Sequence, residues 1–193
     1  MKFYSQNKVA LFGTSADPPT VGHKKILEEL SKLYFSVITY ASDNPKKIHR
    51  ESIFFRSLLL KTLIDEINNP KVIFNQDLSS KWAIESIEEC KKIYALNKLD
   101  FVIGSDLVTE IYSWKNFDKI LKEVNLLVIE REGYPIDSQS LEMLKNHRVL
   151  YKVCSLNIPN ISSSMLRLNT NHSNLPKSLI KIVEKNNLYL KNN

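Results

Sequence analysis

A threonine, a glycine and a histidine at the start of a helical pattern are the residues near the amino terminus best suited to chemistry. The apolar run at 9–12 predicts a buried strand, Gly13 predicts the turn that ends it, and 24–33 predicts a helix with one apolar face. The three residues concerned, just before this helical pattern, are Thr20, Gly22 and His23. The first amides of a helix are unpaired, Gly22 lets a ligand approach the backbone closely, and the His23 ring adds a donor. Together these features suit an anion. This spacing predicts a nucleotide phosphate site.

A second group of polar side chains lies far along the chain, at Ile161–Arg167. Three serine hydroxyls open a predicted helix that also carries an arginine. Hydroxyls in a first helical turn can cap free amides or bind a phosphate, and the forked Arg167 guanidinium suits phosphate oxygens. Ser162, Ser163 and Arg167 are therefore candidate phosphate ligands.

Apolar runs alternate with helical patterns in the order that a parallel sheet requires. Further strands are predicted at Ser36–Ala41, Lys71–Phe74, Asp100–Ile103 and Asn125–Ile129, with an edge strand at Val149–Val153. Helices are predicted at Glu51–Ile67, Trp82–Tyr94 and near Trp114–Leu121. We expect an α/β fold, a Rossmann-like doubly wound, mainly parallel sheet with helices on both faces, whose ligands bind beyond the carboxyl ends of the strands. The sequence has no G-x-G-x-x-G fingerprint and no Walker loop.

Composition limits the class of protein. With 193 residues, 43% of them hydrophobic, the chain predicts one domain, 1–193, whose C-terminal helical part spans about 160–190. Cys90 and Cys154 form no C-x-x-C pair, so we expect reduced thiols and a cytoplasmic protein. Neither a signal peptide nor a membrane-spanning run is expected.

The net charge of +6 comes from scattered lysines, without a dense stripe interleaved with aromatic residues. This pattern favours a solvated surface and a site for polyanionic nucleotides over a nucleic-acid-binding surface. We therefore expect small-molecule partners, with neither nucleic acid nor membrane among them. A homo-oligomer is compatible with the sequence.

The two polar segments match the motifs of a known superfamily. The chain resembles the nucleotidylyltransferases, whose [HT]-x-G-H motif matches Thr20–His23 and whose I-S-S-[ST]-x-[IVL]-R motif matches Ile161–Arg167. Over about residues 8 to 190 it looks most like a bacterial nicotinate mononucleotide adenylyltransferase. It departs from that family at Ala16, usually aromatic, and at Thr20, usually histidine. Further segments that carry the likeness are Gly13–Pro19, Asn44–Lys47, Gly104–Asp106, Trp114–Lys115 and Arg131–Tyr134.

The resemblance implies adenylyl transfer from ATP to nicotinate mononucleotide, giving deamido-NAD and pyrophosphate in NAD biosynthesis. The attacking phosphate is already an anion, so catalysis requires positioning and electrostatic stabilisation rather than a strong base. We assign His23, with Thr20 beside it, to the α- and β-phosphate oxygens, and Ser162, Ser163 and Arg167 to the β- and γ-phosphates. Magnesium is expected to bind mainly through ATP phosphates, since no carboxylate cage is evident. The other ATP-binding candidates are Gly13, Thr14, Ser15, Gly22, Ile161, Gly104 and Asp106, the last of them for ribose hydroxyls.

On the acceptor side, the resemblance favours Lys47 as the cation for the mononucleotide phosphate, with Lys46 and Asn44 next to it. Arg56 is a candidate helper one turn into the following helix. Trp114, and more loosely Trp82, offer an aromatic face to the pyridine ring. The resemblance adds Arg131 to the acceptor-binding set.

Alternative functions are the same chemistry on nicotinamide mononucleotide or phosphopantetheine, or a non-catalytic nucleotide-sensing module whose only support is Thr20. Asn44–Lys47 and Trp114 argue against phosphopantetheine. The choice between an acid and an amide on the pyridine ring of the acceptor rests on one or two backbone donors near Trp82 and Ala83, where the resembled enzymes often have Tyr-Thr.

Three histidines have no metal-ligand spacing and are predicted to be ordinary surface residues: His49, His147 and His172.

Overall fold

The computed structural model describes residues 8–130, 135–147, 150–155, 161–168 and 174–189. Within these residues, six strands form one sheet in which every neighbouring pair is parallel, in the order β3-β2-β1-β4-β5-β6. The chain order reverses between β1 and β4, as in doubly wound folds. The strands are β1 (Val9–Thr14), β2 (Ser36–Ala41), β3 (Val72–Phe74), β4 (Leu99–Gly104), β5 (Val124–Ile129) and β6 (Tyr151–Cys154).

Helices cover both faces of this sheet, as the sequence predicts. They are α1 (Val21–Leu33), α2 (Ile53–Ile67), α3 (Ala83–Ile93), α4 (Phe117–Glu123), α5 (Ser138–Asn146), α6 (Ser163–Leu168) and α7 (Lys177–Lys185). Buried residues of α1, α2 and α7, among them Leu30, Leu63 and Leu179, share one apolar cluster. Residues of α3 and α4, such as Ile87 and Ile120, share a second cluster. Burial on both faces explains the nearly continuous apolar runs of the central strands.

Gly13 does not end the first strand, so that prediction is wrong. It lies inside β1 and pairs with Tyr40 of β2. A Cβ at this position would lie 2.7 Å from the Tyr40 Oη, so the glycine leaves room for the neighbouring ring. The chain turns three residues later, where Ala16 has a φ of 49°.

Several element boundaries differ from the predicted ones. The helix predicted near Trp114–Leu121 is instead a 3-10 turn at Ile111–Ser113 followed by α4, and Trp114 is extended between them. The patterns did not predict α5, and Val149 of the predicted edge strand lies outside the described residues. The other predicted strands agree with the structure to within about two residues.

A partly buried carboxylate joins three helices on one face of the sheet. Glu66 of α2 accepts hydrogen bonds from the Lys24 Nζ of α1 at 2.5 Å and from the Ser178 amide of α7 at 3.0 Å. Partial burial works to raise the pKa of Glu66, but the hydrogen bonds from Lys24 and Ser178 outweigh it and hold the pKa at about 2. The carboxylate is therefore ionised at neutral pH and fastens α7 to the fold.

Candidate active site

A cavity of about 670 Å³ opens at the carboxyl ends of the central strands. It lies at the point where the strand order reverses, which is where ligands bind in open α/β sheets. Of the predicted site residues, Arg131 lies outside the described residues and Arg56 does not line the cavity. The structure brings all the others to the cavity wall: Gly13, Thr14, Ser15, Thr20, Gly22, His23, Asn44, Lys46, Lys47, Trp82, Gly104, Asp106, Trp114, Ile161, Ser162, Ser163 and Arg167.

Thr20 and His23 form a capping box at the start of α1. The Thr20 amide donates to the His23 Nδ1 at 3.1 Å, and the Thr20 Oγ1 lies 2.9 Å from the same nitrogen. Because a backbone amide can only donate, Nδ1 must accept, which assigns the proton of the neutral ring to Nε2. The cap therefore makes Nε2 the hydrogen-bond donor of the His23 ring.

The Thr20 hydroxyl also accepts hydrogen bonds from backbone amides that we expected to be unpaired and to bind a phosphate. The amides of Gly22 and His23 donate to Thr20 Oγ1 at 3.1 and 3.4 Å. Thr20 is fully buried. The expectation of unpaired amides at these two positions is therefore wrong, because a threonine at the N-cap satisfies them internally. The imidazole ring remains the main donor that this turn offers.

The β1–α1 loop joins the two motifs that are far apart in the sequence. The Ser163 Oγ of α6 donates to the Pro18 carbonyl at 2.8 Å, and the Arg167 Nη1 donates to the Asp17 carbonyl at 2.5 Å. The Arg167 Nη2 also donates to the Ser164 Oγ at 3.0 Å. These bonds hold Arg167 against the loop that leads into α1, in the wall of the cavity.

Asp17 is a positioning residue that the sequence analysis did not single out. Its buried carboxylate accepts from the amides of Arg50 and Glu51 at 2.8 and 3.2 Å and lies 3.7 Å from the Arg167 guanidinium. Asp17 thereby connects the loop before α1, the loop before α2 and helix α6. Asp17 lies in Gly13–Pro19, a segment that carries the family likeness, and this was the sequence signal that could have identified it.

Arg56 supports the cavity from behind. Its side chain is 1% exposed, and its guanidinium donates to the carbonyls of Ser15, Ser42 and Glu51 at 2.7 to 3.1 Å. The remaining nitrogen, Nη2, binds Asp43 at 2.7 Å. With its nitrogens engaged in this way, the geometry favours a structural role over the predicted contact with an acceptor phosphate.

The loop after β2 brings two lysines to the cavity with different surroundings. The Lys46 ammonium donates to the carbonyl and hydroxyl of Ser113, both at 3.0 Å, and so connects this loop to the 3-10 turn across the cavity. Asn44 shapes the loop by accepting from the Lys46 amide at 2.9 Å. The Lys47 ammonium has no hydrogen bond or ion pair to any residue in the described ranges. Of the two lysines, Lys47 is the one whose charge is available to a ligand.

His49 is not an ordinary surface residue, contrary to prediction. Its side chain is 12% exposed and lines the cavity, and its Nε2 is buried without a partner among the described residues. Burial, and then the nearby Arg56 guanidinium, lower the pKa of His49, so the ring is neutral at pH 7. His147 is exposed as predicted, and His172 lies outside the described residues. No spacing signal in the sequence distinguished His49, which lies near Asp43 and Arg56 in the folded chain.

The two tryptophans of the cavity differ in their contacts. Trp114 packs edge-on against Phe101, with ring centroids 6.3 Å apart. The Trp82 ring instead has two ammonium groups over it, those of Lys81 and Lys115, at 5.2 and 5.0 Å from its centroid. A flat ligand ring meets less competition at Trp114.

Three further features bear on the sequence predictions. Cys90 is buried and Cys154 is partly buried, and neither forms a disulfide. Within the described ranges, no three side chains of His, Cys, Asp or Glu are grouped so that they could hold a metal ion. Nor does any helix there have the length and apolar character needed to cross a bilayer.

The reversed parallel sheet, with a cavity bordered by a histidine-bearing helix start and a serine- and arginine-bearing helix, is typical of nucleotide-binding α/β domains. The cytidylyltransferase-like family model matches residues 11–169, and the chain belongs to this family.

Named relatives match over nearly the whole chain. A probable nicotinate-nucleotide adenylyltransferase of Synechocystis sp. is 29% identical over 197 residues, which cover 94% of this chain and 98% of the relative. One of Thermoanaerobacter sp. is 29% identical over 201 residues, with 95% of each chain covered. Among solved structures, Plasmodium falciparum nicotinic acid mononucleotide adenylyltransferase complexed with NaAD superposes with a TM-score of 0.77 at 22% identity, over 95% of this chain and 97% of that one. This likeness shows the fold.

Proposed function

We propose that this protein transfers the adenylyl group of ATP to nicotinate mononucleotide, giving deamido-NAD and pyrophosphate. One observation carries the proposal: Thr20–His23 and Ser162–Arg167, far apart in sequence, meet at one cavity through Asp17 and Pro18. The relatives that match over nearly the whole of both chains support the acceptor, since they are named probable nicotinate-nucleotide adenylyltransferases.

In this reaction a phosphate oxygen of the mononucleotide attacks the α-phosphorus of ATP. The bond between the α-phosphorus and the bridging oxygen breaks, and pyrophosphate leaves with the electron pair. His23, protonated on Nε2 by the capping geometry, donates to α- and β-phosphate oxygens as charge develops there. Arg167 and the serines at the start of α6 hold the β- and γ-phosphates from the opposite side.

The acceptor lies on the β2 side of the cavity in this proposal. Lys47, whose ammonium has no hydrogen bond or ion pair within the described part of the chain, binds the acceptor phosphate, and the neutral His49 ring supplies a hydrogen bond beside it. Trp114 stacks on the pyridine ring, and Asp106 accepts from ribose hydroxyls. Magnesium would be held mainly by the ATP phosphates and would neutralise part of their charge, since no three His, Cys, Asp or Glu side chains of the described residues are grouped to hold a metal ion.

The threonine at position 20 has a local explanation. Its hydroxyl caps α1 and sets the His23 ring, so it does not by itself favour phosphopantetheine as the acceptor or a regulatory module. Cys90 and Cys154 form no disulfide, which agrees with a reducing compartment, and we place the enzyme in the cytoplasm.

Pyrophosphate release from MgATP tests the proposal directly. Purified protein is given nicotinate mononucleotide, nicotinamide mononucleotide or phosphopantetheine in parallel, and we expect the highest kcat/KM with the first. His23→Ala should lose about two orders of magnitude in kcat, because one donor to the developing charge is removed. His147→Ala, an exposed histidine elsewhere, is the matched control. A preference for phosphopantetheine, or silence with all three acceptors, would overturn the proposal.

A further inference from the structure

The turn that follows α7 ends at Tyr189, which is held in an unfavourable backbone conformation. The Asn187 amide donates to the Glu184 carbonyl at 3.2 Å, and the Leu188 amide donates to the Val183 carbonyl at 2.9 Å. Tyr189 then has a φ of 61°. A left-handed conformation costs free energy for any residue with a Cβ, so tertiary contacts must hold Tyr189 there.

These contacts are made with the two loops that Asp17 connects. The Tyr189 amide donates to the Glu51 carboxylate at 3.2 Å, and the Glu51 amide donates to the Asp17 carboxylate, also at 3.2 Å. The Tyr189 side chain is 9% exposed and belongs to the apolar cluster that contains Ala16. This turn therefore packs behind the loop that leads into α1.

The Tyr189 hydroxyl is a buried donor without a settled partner. It makes no hydrogen bond of ordinary geometry to the described residues. Burial, and then the charge of the nearby Asp17 carboxylate, raise the pKa of Tyr189, so the hydroxyl keeps its proton at neutral pH. Buried hydroxyls normally have a partner, and the Asp17 carboxylate is the acceptor next to this one.

Asp17 competes with a ligand for Arg167. The Arg167 Nη1 donates to the Asp17 carbonyl at 2.5 Å and lies 3.7 Å from the Asp17 carboxylate. The Arg167 side chain is 26% exposed and also lines the cavity. A donor that satisfies the Asp17 carboxylate weakens its attraction for Arg167 and so favours binding of the guanidinium to an anion in the cavity.

We propose that Tyr189 is a positioning residue for ATP: its hydroxyl donates to the Asp17 carboxylate and thereby leaves the Arg167 guanidinium available to the β- and γ-phosphates. The proposal rests on the proposed function, which places Arg167 at those phosphates. Tyr189 does not itself line the cavity, so its effect on ATP passes through Asp17.

Tyr189→Phe removes the hydroxyl and keeps the ring. A hydrogen bond to a charged group shifts an equilibrium by roughly tenfold or more, and only part of this reaches ATP, so we expect the Kd for MgATP to rise about fivefold. The KM for nicotinate mononucleotide should stay within about a factor of two, because the acceptor cation Lys47 takes no part in these contacts among the described residues.

Tyr34 supplies a matched control. Its side chain is 7% exposed, and its hydroxyl donates to the buried Asp100 carboxylate at 2.8 Å. Asp100 lies near the amino end of β4, whereas the cavity opens at the carboxyl ends of the strands, and Tyr34 does not line the cavity. Tyr34→Phe removes the same kind of bond, so it should lower the urea midpoint at least as much as Tyr189→Phe and leave the Kd for MgATP unchanged.

The route through Arg167 is tested by a double variant. In an Arg167→Gln background there is no guanidinium for Asp17 to hold, so adding Tyr189→Phe should change the Kd for MgATP by less than about twofold. Non-additivity of this kind is expected only if the two residues act through a shared contact.

Titration calorimetry with MgATP alone measures each Kd in the intact protein, and pyrophosphate release measures the KM for the mononucleotide. An unchanged Kd in Tyr189→Phe, an equal rise in Tyr34→Phe, or a fivefold rise that persists in the Arg167→Gln background overturns the proposal. A wild-type protein that binds MgATP and turns over no mononucleotide contradicts the proposed function instead.

Discussion

Replacing Arg56 tests whether this buried guanidinium holds the cavity wall or binds the acceptor phosphate. The side chain is 1% exposed and connects the loops after β1 and β2 to the start of α2. Arg56→Met keeps the apolar stem and removes the charge. Arg56→Lys keeps the charge but cannot reach four acceptors at once.

The expected loss of stability follows from these contacts. In Arg56→Met, three carbonyl groups lose their donor, and each unsatisfied buried group costs about 1 kcal/mol or more. The ion pair with Asp43 adds little, because Asp43 is 60% exposed. Relief of the buried charge offsets part of the cost. We expect a net loss of about 3 kcal/mol for Met and about 1–2 kcal/mol for Lys.

Urea unfolding followed by circular dichroism measures this loss. With a slope of about 2 kcal/mol per molar urea, Arg56→Met should lower the midpoint by about 1.5 M. Lys61→Met, on the same helix with a 56% exposed side chain paired to Asp65, is the control and should change it little. An unchanged midpoint for Arg56→Met, together with a tenfold rise in the KM for the mononucleotide alone, would refute the structural role.

Two further predictions concern stability. Glu66 has a folded pKa of about 2, below its ordinary 4.5, so its contribution is full above pH 4.5 and is lost as pH falls towards 2. Glu66→Gln should therefore lose less stability than wild type between pH 5 and pH 3 in urea unfolding, and equal losses would contradict this reasoning. Ala95 has a φ of 51° just after α3, so Ala95→Gly should stabilise the fold by about 0.5 kcal/mol. A lower urea midpoint for Ala95→Gly would count against it, and Ala95→Val should move the midpoint downwards.

Periodicity predicted the architecture well because the sheet is buried on both faces. A strand such as Val124–Ile129, apolar at all but one position, has few alternatives, and the amphipathic runs of α1 and α3 show their apolar faces in the sequence. The segment around Trp114 was mispredicted because Trp114 and Phe117 contribute to the core from non-helical backbone and a short helix. Helical spacing alone does not distinguish these arrangements.

The sequence by itself determined which residues could bind phosphates, since Thr20–His23 and Ser162–Arg167 need only local spacing at a helix start to be recognised. Only the tertiary structure decided which charges face the cavity. Arg56 and Lys47 are both cations that follow β2. The Arg56 guanidinium donates to the carbonyls of Ser15 and Ser42, whereas the Lys47 ammonium has no such partner among the described residues. The Nε2 of His49 is buried, and two lysines 34 positions apart meet over Trp82. Burial and pairing depend on segments that the fold brings together, and no local pattern encodes that contact.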